Sequence, residues 1–452
     1  MVASVSWLQS LGAYLQPRLL AIFFLGISSG FPLTLILSTL SYWLAKEGVS
    51  KGEIGLFASL LAPYALKFAW APLIDRLRVP VLARLVGQRR AWLLASQAAL
   101  VAAVMALGAS DPTTDLGRMA LFAFLVALAS ATQDIVIDAY RIEILSVDDQ
   151  GHGAAMINFG YRTGNLIAGA GAVAIQVVVG WQFAYWTMAG LVLFGAGAAL
   201  LVGEPERHDT AEAAEQEAAA ERYLERATHL PHTLALTLGW LYATVVAPFV
   251  EFLRRPYAIA ILLFVIIYKW GDAMAAVMTN PLIVELGFSD AEYIWANKGV
   301  GFAALMVGTA LGGVVVKSMG MFRALMGTGI LMMVSNLMFA VLAVVGYDVT
   351  MLAVTIGFEN FSSGVGLTVF VAYLSRLCNL AYTATQYALL SALASVARTF
   401  MSAPSGYLAE WVGWPAFFVF TTVIAVPGLM LLLFLWRRGM RAEEPSEMPA
   451  GS

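Results

Sequence analysis

Residues Ser130-Ala-Thr-Gln133-Asp134-Ile-Val-Ile-Asp138-Ala-Tyr140 put two carboxylates inside an apolar run that begins near residue 118. Similar runs carry Lys67, Arg162, Lys269, Asp272, Lys298, Glu359 and Arg398. A charge near the centre of a bilayer costs at least ~2.5–3.5 kcal/mol even on the most lenient insertion scale. Side chains of this kind cannot all face lipid. They face one another or a watery pathway, and that predicts a carrier or a channel.

The runs around these charges set the architecture. Hydrophobic residues make up 60% of the 452-residue chain and charged residues only 12%, about half of what soluble domains carry. A spanning helix needs about 20 mostly apolar residues. Twelve such runs are readable, near 19–44, 54–74, 91–109, 118–140, 154–179, 183–203, 257–282, 292–316, 322–345, 350–375, 384–408 and 415–436. The segment before the first is short and half polar, so no cleavable signal peptide is expected and the first run stays as a helix. Lys46, Lys51 and Arg118 lie on one set of loops. The other set holds many more positives, including Arg76, Arg78, Arg84, Arg89, Arg90, Arg254, Arg255, Arg437 and Arg438. The positive-inside bias places that side, and both termini, in the cytoplasm. The single Cys378 offers no disulfide, and the four His residues have no ligand spacing. No metal, cofactor or nucleic-acid partner is expected; the bilayer is the one partner that composition demands.

The polar stretch Glu204–Arg255 separates six runs from six. The expected organisation is a cytoplasmic N-terminus (1–18), a six-helix bundle (19–203), a cytoplasmic linker (204–256), a second six-helix bundle (257–436) and a cytoplasmic tail (437–452). Within the linker, Asp209 to Arg226 reads as a solvated helix. Leu230 to Leu253 is flanked by arginines on both sides, which favours an interfacial helix over a thirteenth span. The halves echo one another. Gly180-Trp181 opens the sixth run and Gly413-Trp414 the twelfth. Gly48-Val49-Ser50 with Glu53 parallels Gly287-Phe288-Ser289 with Glu292, and Arg162 has a counterpart in Arg398. Duplicated halves are a transporter pattern.

After the second run comes Pro72-Leu-Ile-Asp75-Arg76, then Gly87-Gln-Arg89-Arg90. This resembles the loop of the major facilitator superfamily, an all-α fold of two six-helix bundles. Physically, Asp75 can dock on the positive N-terminus of a helix from the other half, beside a nearby Arg, and hold the cytoplasmic gate shut. Asp75, Arg76, Arg89 and Arg90 are the gating candidates; plain positive-inside retention explains the arginines but not the Asp.

Further motifs are similar to those of the AmpG-type muropeptide permeases. They are Leu25-Gly-Ile-Ser-Ser-Gly30-Phe-Pro32, Lys67-Phe-Ala-Trp70, the Gln133–Asp138 stretch, Gly160-Tyr161-Arg162, Tyr268-Lys269-Trp270-Gly271-Asp272, Asn297-Lys298, Phe358-Glu359-Asn360 and Ala384-Thr385-Gln386-Tyr387. The resemblance implies proton symport of anhydromuropeptides (GlcNAc-1,6-anhydroMurNAc with or without peptide) across the bacterial inner membrane into the cytoplasm, for peptidoglycan recycling. It also implies fragments that feed β-lactamase induction. Some members carry two more C-terminal spans, whereas the runs read here end before Arg437.

Such a substrate presents carboxylates, N-acetyl groups and sugar rings. Lys67, Arg162, Lys269, Lys298 and Arg398 are the candidate cations, Arg being best suited to bidentate pairing. Tyr161, Tyr268 and Trp270 offer aromatic faces. Gln133, Asn158, Asn297, Asn360 and Gln386 offer amides, with helix–helix glue as their equal alternative. Asp134 and Asp138 share a helix face, with Arg141 three residues on. Two acids this close resist joint ionisation, so one can hold a transported proton; a static ion-pair network is the other reading. Asp272 and Glu359 are the rival proton carriers. Lys269 and Asp272, three apart, can neutralise each other. Other readings are a carrier for another bulky anion, such as an acyl-CoA-like solute, and a non-transporting sensor. An enzyme is weakest, for no nucleophile–His pairing or phosphate loop is present.

Overall fold

In a computed structural model of the chain, residues 12–49, 53, 57–206, 242–402 and 404–438 are described. Ten helices among them are long and apolar enough to cross a membrane. In chain order, with two broken segments numbered among them, they begin with α1 (Pro17–Lys46), the broken segment α2 (58–76), α3 (Gln88–Gly108), α4 (Leu116–Ile144), α5 (Val147–Val179) and α6 (Trp181–Val202). Then come α7 (Ala258–Glu285), α8 (Ala291–Met319), α9 (Met321–Val345), α10 (Val349–Arg376), the second broken segment α11 (Thr383–Ser402) and α12 (Trp414–Arg438).

The interruptions of α2 and α11 have local causes. The run expected over 54–74 is a chain of short helices, Ala58–Leu61, Ala62–Leu66, Lys67–Ala69 and Ala71–Arg76. Pro72 has no N–H to give the carbonyl of Phe68, so the helix cannot run through it. The run expected over 384–408 ends as a helix at Ser402 and restarts as Ser405–Val412 behind Pro404. The Asp209–Arg226 linker helix and the first part of the interfacial segment lie outside the described residues, as do the first 11 residues and the tail from 439. Of the interfacial segment, Ala247–Arg254 is a helix that buries Ala247, Pro248, Glu251 and Phe252.

By its packing the chain divides into two units, Met1–Phe252 with Leu374–Ala392, and Leu253–Tyr373 with Leu393–Ser452. The sequence reading assigned Leu374–Ala392 to the second bundle. Its place in the first unit has a physical basis. Ala384 and Ala388 join a core that includes Ile74, Ala139 and Tyr140, and carboxylates of the first unit hold the start of α11, as set out below.

Lipid supplies no hydrophobic force between spans, so small residues decide how closely they approach. In the first unit α1 and α5 meet backbone to backbone. A methyl group on Gly160 would lie 2.1 Å from the Phe23 carbonyl oxygen, and one on Gly30 would lie 2.3 Å from that of Tyr161. In the second unit Gly308 brings α8 equally near α10, with Phe361 O 2.2 Å from where a methyl would sit. The two Gly-Trp echoes share one geometry: Gly180 (φ 89°) and Gly413 (φ 76°) each cap a helix whose first residue is the Trp.

Gly160→Val should therefore overpack α1 against α5 by about 1–3 kcal/mol or more and lower the melting temperature of the purified protein by several degrees. Gly190→Val, with nothing within 4 Å of its added Cβ, should leave it nearly unchanged, and fluorescence-detected size-exclusion melting separates the two.

Candidate functional site

The first cluster of intramembrane charge lies within the first unit. Lys67 sits in the 3-10 stretch that breaks α2, and Trp70 Nε1 ties that break to α4 by donating to Thr132 Oγ1 at 3.2 Å. Lys67 Nζ stands 3.8 Å from Asp138 Oδ2. The other oxygen of Asp138 is 3.8 Å from Arg141 Nη2. Asp138 thus lies between two cations, each at ion-pair distance and each beyond hydrogen-bond length. Asp134, one turn earlier, accepts a hydrogen bond of 2.6 Å from Ser29 Oγ of α1. On the same helix Gln133 is fully buried, and neither its Oε1 nor its Nε2 has a hydrogen-bond partner. Asn158 Nδ2 on α5 is likewise buried and unpartnered. Tyr161 and Arg162 follow it, both half-buried.

The second cluster lies within the second unit and repeats the device in simpler form. α7 breaks at Tyr268 and Lys269 and resumes at Trp270. Lys269 Nζ meets Asp272 Oδ2 at 3.4 Å, and Asp272 stands in the first turn of the resumed helix, where the macrodipole favours an acid. Trp270 Nε1 donates to Met401 O at 3.2 Å. Glu359 and Asn360 are half-buried on α10, the Asn360 amide bonding back to Ile356 O at 2.9 Å. Asn297 donates to Tyr293 Oη at 2.7 Å, and Lys298 is exposed, both on the π-helical stretch Trp295–Gly301.

Two candidates are spent elsewhere. Tyr268 is buried; its hydroxyl donates to Leu325 O at 2.8 Å and its ring stacks on Phe370. It holds α7 to α9 and α10 instead of facing a sugar. Gln386 is also buried, and both ends of its amide are occupied. Nε2 donates to Pro248 O at 3.0 Å and to the Glu251 carboxylate, while Oε1 accepts from Asn379 N at 2.7 Å. Gln386 joins α11 to the helix Ala247–Arg254. The side chain of Arg398 lies outside the described residues.

The gating candidates form a closed clasp in the first unit. The first N–H groups of a helix have no partner within it, and at the start of α11 Asp75 supplies one. Ala384 N donates to Asp75 Oδ1 at 3.2 Å; Thr385 N and Oγ1 donate to Oδ2 at 2.9 and 2.6 Å. Arg89 Nη2 donates to Asp75 Oδ1 at 2.7 Å and to Glu143 Oε1 at 2.6 Å, with Arg89 Nε on Glu143 Oε2 at 2.9 Å. Gln88 Nε2 reaches the Asp75 carbonyl at 2.7 Å. Glu204 caps α3 from the end of α6, accepting from Arg89 N at 2.7 Å and Arg90 N at 3.0 Å. Gly87 permits this twice over: its φ is +94°, and a Cβ there would meet Glu204 Cδ at 2.3 Å. Arg90 pairs with Glu204 at 3.6 Å, outside the Asp75 clasp; Arg76 is half-buried at the end of α2.

Ser29, Glu143, Glu204 and Glu251 do not stand out in the sequence. Glu143 and Glu204 carried one usable signal, as acids at helix ends amid basic loops. The comparisons with known proteins agree with the geometry. The profile of the Major Facilitator Superfamily matches residues 22–362. The chain is 38% identical to the anhydromuropeptide permease of Escherichia coli over 427 residues, 94% of this chain and 81% of that one. It is 34% identical to the AmpG 4 protein of Rickettsia felis, covering 92% and 96%. Among solved structures it resembles the proton:xylose symporter XylE, with a TM-score of 0.66 at 14% identity over 94% and 96% of the two chains, a likeness of fold. The chain belongs to the major facilitator superfamily and, within it, to the family of the anhydromuropeptide permeases, multi-pass membrane transporters and not enzymes.

Proposed function

We propose that the protein is a proton-coupled symporter carrying anhydromuropeptides from the periplasm to the cytoplasm across the bacterial inner membrane, with both termini cytoplasmic. The observation that carries this reading is the breaks in α2 and α7, each with a lysine at the break and a carboxylate beside it. Irregular backbone at membrane depth is tolerated only inside protein or along a watery cavity, and broken helices mark binding sites in carriers. The E. coli relative's name supplies the substrate. The carboxylates of an anhydromuropeptide suit the cations Lys67, Arg162 and Lys269, and its N-acetyl groups suit buried unpartnered amides such as Gln133 and Asn158. The proton gradient is the driving force and no cofactor takes part.

Asp134 or Asp138 carries the proton, with Asp272 and Glu359 as rivals. Asp138 is shared between Lys67 and Arg141, so an incoming carboxylate that takes either cation frees the acid to bind a proton. In proteoliposomes an inward proton gradient should drive accumulation of labelled disaccharide anhydromuropeptide. Asp134→Asn or Asp138→Asn should cut the gradient-driven part about tenfold or more, what a lost charge-assisted interaction of about 1.5–3 kcal/mol amounts to. Gradient-driven uptake that survives both substitutions would move the proton to the second unit. No uptake by folded wild type would leave another bulky anion as the cargo.

Asp75 is the gate latch in this reading. Its removal leaves two helix N–H groups and one guanidinium arm without their acceptor. Asp75→Ala should raise the maleimide labelling rate of Cys378, the only cysteine of the chain and five residues before α11, about tenfold or more by the same measure. An unchanged rate would show that Asp75 does not hold this segment.

A further inference from the structure

Arg141 is the bulkiest of the fully buried side chains among the described residues. Its charge is poorly answered. None of Nε, Nη1 and Nη2 makes a hydrogen bond of good geometry; the guanidinium has the Tyr387 hydroxyl as a neighbour and the carboxylate of Asp138, 3.8 Å away and shared with Lys67. The ring of Tyr387 lies 5.3 Å from the guanidinium carbon. The helix beside it is cut back at Gly153, where a Cβ would stand 3.6 Å from Arg141 Cγ.

Three explanations compete for such a group. A structural ion pair would be expected to close to hydrogen-bond distance, because only good geometry offsets the several kcal/mol that desolvating each ion costs. A cation–π contact with Tyr387 contributes about 0.5–2 kcal/mol, too little to answer a buried guanidinium. An anion that arrives and leaves answers it fully, since the guanidinium fork is shaped for a carboxylate.

Position favours the third. Arg141 lies seven residues, about 10 Å along the helix, beyond Asp134 and two residues short of Glu143. It therefore stands between the transport cluster and the clasp. Its cover, Tyr387, comes two residues after Thr385, which Asp75 holds. A shift that frees Thr385 from Asp75 carries Tyr387 with it and uncovers the guanidinium.

We propose that Arg141 is a carboxylate-binding seat at the inner end of the transport path, lidded by Tyr387 while Asp75 holds α11, and that it takes an acidic group of the substrate as the carrier opens toward the cytoplasm. This rests on the muropeptide reading for its ligand, while the seat itself is defined by carboxylate chemistry alone.

The test uses full-length protein in nanodiscs and two ligands, an anhydromuropeptide tripeptide and the same molecule with its peptide carboxylates amidated. Arg141→Met replaces the charge with an apolar side chain and leaves Asp138 with Lys67 as its cation; Arg141→Gln is the second variant should it fail to fold. Wild type should bind the amidated ligand about tenfold more weakly or worse, the scale of a lost charge-assisted pair, and the variant should show a severalfold smaller loss, its other cations still answering carboxylates. An equal loss in wild type and variant overturns the seat. Binding of neither ligand by wild type counts against the muropeptide reading instead. The seat is then decided with glutarate, a plain dicarboxylate: it should raise the melting temperature of wild type and not of the variant, and equal shifts, or none, overturn it.

Discussion

An ammonium group inside a bilayer has to be answered by a carboxylate and by dipoles that do not belong to lipid, and two spans meet that requirement where they stop being helices. Lys67 sits where α2 turns into a 3-10 stretch, with Asp138 opposite. Lys269 sits at the junction of two helices, with Asp272 in the turn that follows. A break frees backbone groups that need partners, and each is stitched to a neighbour by an indole, Trp70 to Thr132 and Trp270 to Met401 O. Charge, break and indole recur as one unit of construction in both halves of the sequence.

The same economy of charge organises the clasp. Asp75 and Glu204 each act at the beginning of a helix, where unpartnered N–H groups and the macrodipole favour an anion. Glu204 closes the start of α3; Asp75 closes the start of α11; Glu251 reaches Gln386 in the same turn. Arg89 binds two of the acids gathered there, Asp75 and Glu143, and so lets two carboxylates approach without repulsion. Remove the arginine and the acids repel; remove Asp75 and the helix end is bare. Such a joint holds or releases as a whole, which is what a gate needs.

Much of this was legible in the sequence, because spans announce themselves by length and charges by their cost. The apolar runs, the Lys269–Asp272 spacing and an Asp beside a helix N-terminus all follow from one-dimensional rules. What was not legible depends on how helices are set against each other. Ser29 reaches Asp134 on α4 from a helix, α1, that Gly26 and Gly30 also let settle closely on α5. Tyr268 and Gln386 look like ligands beside charged neighbours, yet adjacent helix positions point in different directions, and both turn into packing and the linker. The break in α2 was missed because a Pro within an apolar run is common in membrane helices, so Pro72 alone does not announce where backbone bonding fails.

The two clusters differ in a way that bears on coupling. Lys269, at the break in α7, and Asp272, in the first turn beyond it, lie three residues apart and pair at 3.4 Å. In the first unit Asp138 is divided between Lys67 on α2 and Arg141 on its own helix, and Asp134 takes its hydrogen bond from α1. A pair made within one short stretch of chain depends less on where neighbouring helices sit. A carboxylate shared across elements depends on it more, because any shift of α2 against α4 changes the field at Asp138. Linkage between two ligands needs a group whose energy differs between conformations, and a carboxylate shared as Asp138 is meets that requirement.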